Sequence, residues 1–299
     1  MTPQVAVTGV GLVCALGDDP AAVAARLAAG DTAVGPLGLP GLPDAVGARV
    51  PGPSPKELRR WLVRRKDAKL LPRAAELVLP AAGRALGDWP GDREQLGLFF
   101  GVRREPPDTG EADAAMVAAC VDGRLSPALL AGPGRDLYPP LLPLKTLPNM
   151  VLAHVSINLG VMGTGDTCAG GPAAGLTALR AALWAVVEGR CPAALVGAAD
   201  SHVDGGSVRD RARLRQPGPA GEAAIVLRIE PLGAPGALFH LADLGAGLDA
   251  PGDPTRWAHH AGLGDCGVAD GLLALALGGP GPVVARDDDG TRAGIARTP

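Results

Sequence analysis

The sequence predicts an α/β fold, a mixed and largely parallel sheet covered by helices. Three observations lead there. Short continuous apolar runs of strand length recur: LGLFFGV at 96–102, AALVGA at 193–198 and AAIVLRI at 223–229. Such runs fit strands buried on both faces. Segments of helical periodicity lie between them, the alternation that builds parallel sheets. Glycine and proline, 44 and 30 of 299 residues, punctuate these segments and form no low-complexity tract.

The elements follow in order. Residues 5–8 read as a short buried strand, with a turn at Gly9-Val10-Gly11. Asp18 or Asp19 is placed to cap a helix that starts at Pro20 and runs through 21–29. Residues 35–55 form a Pro/Gly-rich loop. Helices are predicted over 55–66 and 71–86, a strand over 96–102, and a helix over 112–122. Residues 127–143 are a Pro-rich loop, and 148–159 a helix with an apolar face. A long helix spans 172–189, followed by a strand at 193–198 and a polar loop at 209–218. Strands at 223–229 and 238–244, a loop at 249–254 and a helix at 268–277 come next. Asp289-Gly290 marks a hairpin between 283–286 and 291–296.

Composition excludes several classes of function. Hydrophobic residues make up 47%, charged residues 20% and aromatics 3%, so the core is Ala, Val and Leu. The net charge is −3, with no acidic or basic block, which argues against a nucleic-acid partner. The basic stretch 56–73 reads as a solvated helix face or a dimer edge. No apolar run approaches the ~20 residues of a membrane helix, and the N-terminus lacks a secretory pattern. The expectation is a cytoplasmic protein without a membrane partner. The five cysteines, Cys14, Cys120, Cys168, Cys191 and Cys266, are scattered and form no C-x-x-C pair, so neither disulfides nor a metal site is expected. Cys14 also takes the third glycine position of a dinucleotide fingerprint, and no cofactor is expected.

Cys168 carries the chemical interest. Small residues and a helical pattern follow it, and a helix N-terminus favours a thiolate. His259 and His260 are candidate bases, with His154 and His202 behind them. His202 follows a strand end at Asp200, where α/β proteins place functional groups. Adjacent histidines are expected to point in divergent directions, which disfavours a metal at His259-His260.

Several stretches, in order, resemble the β-ketoacyl synthase branch of the thiolase superfamily. They are 5–17, VAVTGVGLVCALG; the R-x-x-D of Arg64 to Asp67; the strand Leu98 to Gly101; and LPNMVLAHVSINLGVMG, 147–163. Cys168-Ala169-Gly170-Gly171-Pro172-Ala173-Ala174 fits the C-A-x-G-x-x-A elbow. The run Glu188 to Asp200 and Gly221-Glu222-Ala223-Ala224 complete the set. The resemblance implies an α/β, thiolase-like layered fold (α/β/α/β/α), with the nucleophile on a strand–helix elbow. It also implies dimers, and acyl chains delivered by an acyl carrier protein.

The chain departs from that pattern toward its end. Neither of the family's histidine strings is present. His259 and His260 lie nearest the first, and Asp265 stands where the second histidine belongs. The Gly-rich terminal loop is replaced by Asp287-Asp288-Asp289-Gly290, and fewer residues than usual separate Gly163 from Cys168. The C-terminal half is truncated, giving an N-terminal half at 1–225 and a shortened one at 226–299.

The expected function is a ketosynthase-like subunit of fatty acid or polyketide-type biosynthesis. It would lack full condensing activity and act as a chain-length-factor-like partner of an active ketosynthase. An active acyltransferase or hydrolase would instead use Cys168, with His259, His260 and Asp265 as the other candidate site residues. A non-enzymatic binding protein is the third reading. Expected partners are an acyl carrier protein or acyl-CoA thioester, in a homodimer or a heterodimer with a complete ketosynthase.

Overall fold

The computed structural model describes residues 2–52, 54–104, 110–245 and 257–299. Its principal strands are β1 Gln4–Cys14, β2 Gly97–Arg103, β3 Gly165–Gly170, β4 Ala194–Ser201, β5 Ala220–Pro231, β6 Phe239–Gly245, β7 Gly281–Arg286 and β8 Arg292–Thr298. The helices that cover them are α1 Pro20–Ala28, α2 Arg73–Leu86, α3 Met150–Leu159, α4 Ala174–Val187, α5 Gly205–Arg213 and α6 Asp270–Leu277.

The strands join in the order β7-β8-β6-β1-β5-β4-β2-β3. Among the principal strands only the pairs β3–β2 and β2–β4 are parallel, with α3 and α4 as the crossovers; the short strand Val46–Ala48 adds a parallel pairing on β5. The other principal pairings are antiparallel, so the expectation of a largely parallel sheet is corrected. Five of the principal strands, β1 to β5, are complete by Pro231, and three, β6 to β8, follow. The chain passes from one part to the other along β5.

Strand period 2 sorts the core into two compartments. Leu98, Phe100, Val102, Leu195, Ala224 and Val226 pack under α2 and α3. Phe99, Val196, Ile225, Leu227 and Ile229 face the other way, onto α4, α6 and the β6–β8 strands. Helix α4 thus lies between the two parts of the sheet.

Several local expectations change. Strand β1 does not turn at Gly9-Val10-Gly11 but continues to Cys14 with a bulge between Val7 and Gly9. Its glycines serve close approach: a Cβ on Gly9 or Gly11 would strike the carbonyl oxygen of Ala85 or Ala81 on α2. The Pro20 helix forms, with Asp19 Oδ1 accepting from Ala22 N at 2.8 Å. The helix expected at 55–66 ends at Arg59, and a 3-10 turn, Arg65–Leu70, follows it. The expected helix 112–122 stops at Ala118 and gives way to a small hairpin across Asp122-Gly123. Short helical turns break up the loop expected at 127–143. The polar loop expected at 209–218 overlaps α5, which Asp204 caps through Ser207 N at 2.8 Å. The hairpin around Asp289-Gly290 forms as expected. The loop expected at 249–254 lies outside the described residues.

Candidate functional site

The strand entering the elbow is β3, and its register on β2 sets where the elbow lies. Leu98 pairs with Gly165 and Arg103 with Gly170, which keeps Cys168 inside the strand opposite Gly101. The turn is Gly171-Pro172-Ala173, and α4 starts at Ala174. The elbow therefore falls four residues beyond Cys168, and Pro172 stands on it, exposed.

The helix mouth is occupied by a carboxylate of the protein. Asp287, buried in the β7–β8 turn, accepts from Gly171 N at 2.9 Å and Ala173 N at 2.6 Å. These N–H groups carry the positive end of the helix dipole, and Asp287 caps them. Arg104 at the end of β2 holds the same turn through Asp289 at 2.8 Å. Asp287→Ala is expected to cost about 1–2 kcal/mol, the range for a lost helix cap. Asp288→Ala, at an exposed neighbour, should change the urea midpoint by no more than about 0.5 kcal/mol equivalent.

Cys168 is half-buried. Burial, helped by the nearby Asp166 charge, pushes its thiol up to about 11.

A cleft of about 400 Å³ opens at the elbow, lined by Pro172, Arg103, Asp200, His202, Arg211 and Asp265, among others. Asp200 is the last residue but one of β4 and is buried. Burial alone would raise its pKa, but His202 and Arg103 outweigh this and hold the carboxyl well below the ordinary range. Arg103 Nε donates to Asp200 Oδ1 at 2.9 Å, and His202 Nε2 lies 3.2 Å from Oδ2. Gly267, at φ +56°, closes over this pair, because any Cβ there would strike Asp200 Oδ2 and His202 Nε2. A second cavity of about 550 Å³ shares Arg103 and Asp200 and runs toward the N-termini of α2 and α3.

The candidate residues divide into three separate places. Cys168 lies in β3 and lines neither cavity. Asp265 lines the cleft, but Arg211 Nη1 donates to its Oδ2 at 2.5 Å and Gly267 N to its Oδ1 at 2.9 Å. It is a fixed anion in an ion pair. His259 and His260 form a third place, outside both cavities. Contrary to the expected divergence, both turn onto Asp270, the first residue of α6. His259 Nε2 lies 2.8 Å from Oδ1 and His260 Nε2 2.9 Å from Oδ2. His154 is buried in α3, and burial pushes its pKa down.

Sequence reasoning missed Asp270, Asp287 and Arg103. Asp270 sits at the head of a segment that reads as apolar helix. Asp287 was visible only as one of an acidic run.

A family model described as the N-terminal domain of beta-ketoacyl synthase matches residues 2–222. No match is found among curated proteins. Among solved structures, the chain is similar to a type II polyketide synthase acyl carrier protein in complex with its ketosynthase bound to the hexaketide. The TM-score is 0.71 at 14% identity, over 99% of each chain. It is similar to the ishigamide ketosynthase/chain length factor, with a TM-score of 0.68 at 19% identity over 99% of each chain. A beta-ketoacyl synthase from Burkholderia phymatum STM815 aligns at a TM-score of 0.61 and 20% identity, over 84% of this chain and 66% of that one. At these identities the likeness establishes the thiolase-like fold.

Proposed function

The chain belongs to the β-ketoacyl synthase family, and from that membership we propose that it is a ketosynthase-like subunit without condensing activity of its own. It acts as a chain-length-factor-like partner of a complete ketosynthase that works on carrier-bound acyl chains. One observation carries the reading: the elbow presents Pro172, and the N–H groups behind it are taken by Asp287. A condensing site needs a nucleophile at that point and free donors for the oxyanion. Neither is available. With a thiol near 11, Cys168 is roughly one part in ten thousand thiolate at pH 7.

The sheet edge supports association. Among the described residues, strand β3 pairs on one side only, with β2. Its other side offers backbone N–H and C=O groups, and Met162 just before it is 62% exposed. An open edge beside exposed apolar surface fits a partner subunit. No helix among the described residues is long and apolar enough to cross a membrane.

The test mixes the purified chain with the ketosynthase encoded nearest to it, the acyl carrier protein and extender thioesters. A heterodimer and a changed product length are expected. Intact mass after incubation with acyl-CoA or acyl carrier thioester should show no acyl adduct. A Cys168-dependent adduct would overturn the reading in favour of acyl transfer. Alkylation of Cys168 by iodoacetamide should stay slow at pH 8 and rise about tenfold per pH unit toward pH 10, following the thiolate fraction.

A further inference from the structure

The turn between Trp257 and Leu263 meets the head of α6 at three side chains that neither cavity uses. His259, His260 and Asp270 each offer one ligand atom, and these atoms all lie within 4.8 Å of one another. The side chains of His259 and Asp270 are 5% and 2% exposed, and that of His260 is 18% exposed. The two rings stand at 89° with centroids 5.1 Å apart, so they approach Asp270 from two directions. His260 Nε2 is shielded from solvent and makes no aligned hydrogen bond, although it lies 2.9 Å from Asp270 Oδ2.

We propose that His259, His260 and Asp270 form a binding site for a divalent transition-metal ion of the zinc class. Two imidazoles and a carboxylate are a donor set that suits such an ion. Three protein ligands leave one corner of a tetrahedron for water. Two neighbouring groups hold the ligands in place. Cys266 N donates to Asp270 Oδ1 at 3.2 Å, and Trp257 stacks on His259 at 6.3 Å, inclined by 10°. A metal ion would take the Nε2 lone pair of each ring: a neutral ring then carries its proton on Nδ1, and a protonated ring releases one proton to solvent. The ion would tie the 257–263 turn to α6. This role rests on the ligand geometry and is independent of the subunit's part in acyl-chain assembly.

The test uses the full chain, stripped with chelator and then dialysed against Zn²⁺. One zinc per chain by mass spectrometry of the metal is expected, with a raised Tm. Cobalt substitution should give visible absorption bands and alter Trp257 fluorescence. His260→Gln, at the least buried ligand, should keep the circular dichroism of the parent. Its zinc affinity should fall more than about 100-fold, beyond the loss typical of an outer-shell partner. His202→Gln should bind zinc like the parent. Zinc well below one per chain in the parent, or equal zinc in the parent and His260→Gln, would overturn the proposal. If Asp270→Asn does not fold, the His260→Gln result still decides the matter.

Discussion

Replacing Glu222 by alanine is expected to destabilise the protein by about 3 kcal/mol, the lower end for breaking a buried ion pair. Glu222 is fully buried at the start of β5. Its carboxylate accepts from Arg73 Nε at 3.0 Å and Nη2 at 2.7 Å, from Val50 N at 2.9 Å and from Ser201 Oγ at 2.8 Å. One side chain thus joins the head of α2, the loop after Ala48, the end of β4 and β5. Without it, Val50 N and Ser201 Oγ lose their acceptor, and Arg73 keeps only Glu76 and the Val50 carbonyl as partners. Arg73 remains 30% exposed, so water relieves part of the loss and the lower figure applies. Urea unfolding measures the change. The double variant with Arg73→Met should recover part of it, because the cation that has lost its buried partner is gone. A single Glu222→Ala loss under about 1 kcal/mol would show that the network is not what holds these elements.

Gly101→Ala should cost about 3 kcal/mol, at the upper end for overpacking. A Cβ on Gly101 would lie 2.5 Å from both N and Cα of Gly175. Gly175 in turn faces the carbonyl oxygen of Val268. Backbone meets backbone on both sides of α4, and neither neighbour is a side chain that can swing away. The whole helix that leaves the elbow must move. Gly35→Ala, where a Cβ meets nothing within 4 Å, is the control and should stay within about 0.5 kcal/mol.

Much of the fold was legible in the sequence, and for a local reason. The runs at 96–102, 193–198 and 223–229 are short and apolar on both faces, the pattern of a strand covered on both sides. Asp19-Pro20 and Asp289-Gly290 carry their own turn chemistry. The misreadings arose where tertiary contact overrides local signal. The glycines of β1 look like a turn because their reason lies in α2, some seventy residues away. Helix α5 is polar almost throughout, and its buried side chains find distant partners: Arg211 reaches Asp265 and Ser207 accepts from Arg103. The site was harder still. Where the elbow falls depends on where β3 stops pairing with β2, a register that no local motif states. The histidine pair needed its acceptor, Asp270, to give it a direction. The one motif whose meaning the structure sharpens most is Gly221-Glu222: its acid is a structural knot.

Strand β1 has a consequence for how this chain folds. Residues 4–14 pair with β5 and β6 on either side, segments that begin at Ala220 and Phe239. On a ribosome adding roughly 5–20 residues per second, both partners appear on the order of ten seconds or more after β1. Until then an apolar strand has two open edges and no mate. Such non-local pairing slows folding and exposes the nascent chain to aggregation. Refolding from urea should therefore be slow and concentration-sensitive, with protection of β1 amides from hydrogen exchange arriving last. Deleting residues 2–14 should leave the remaining chain insoluble, because β5 and β6 would then lose the strand that joins them.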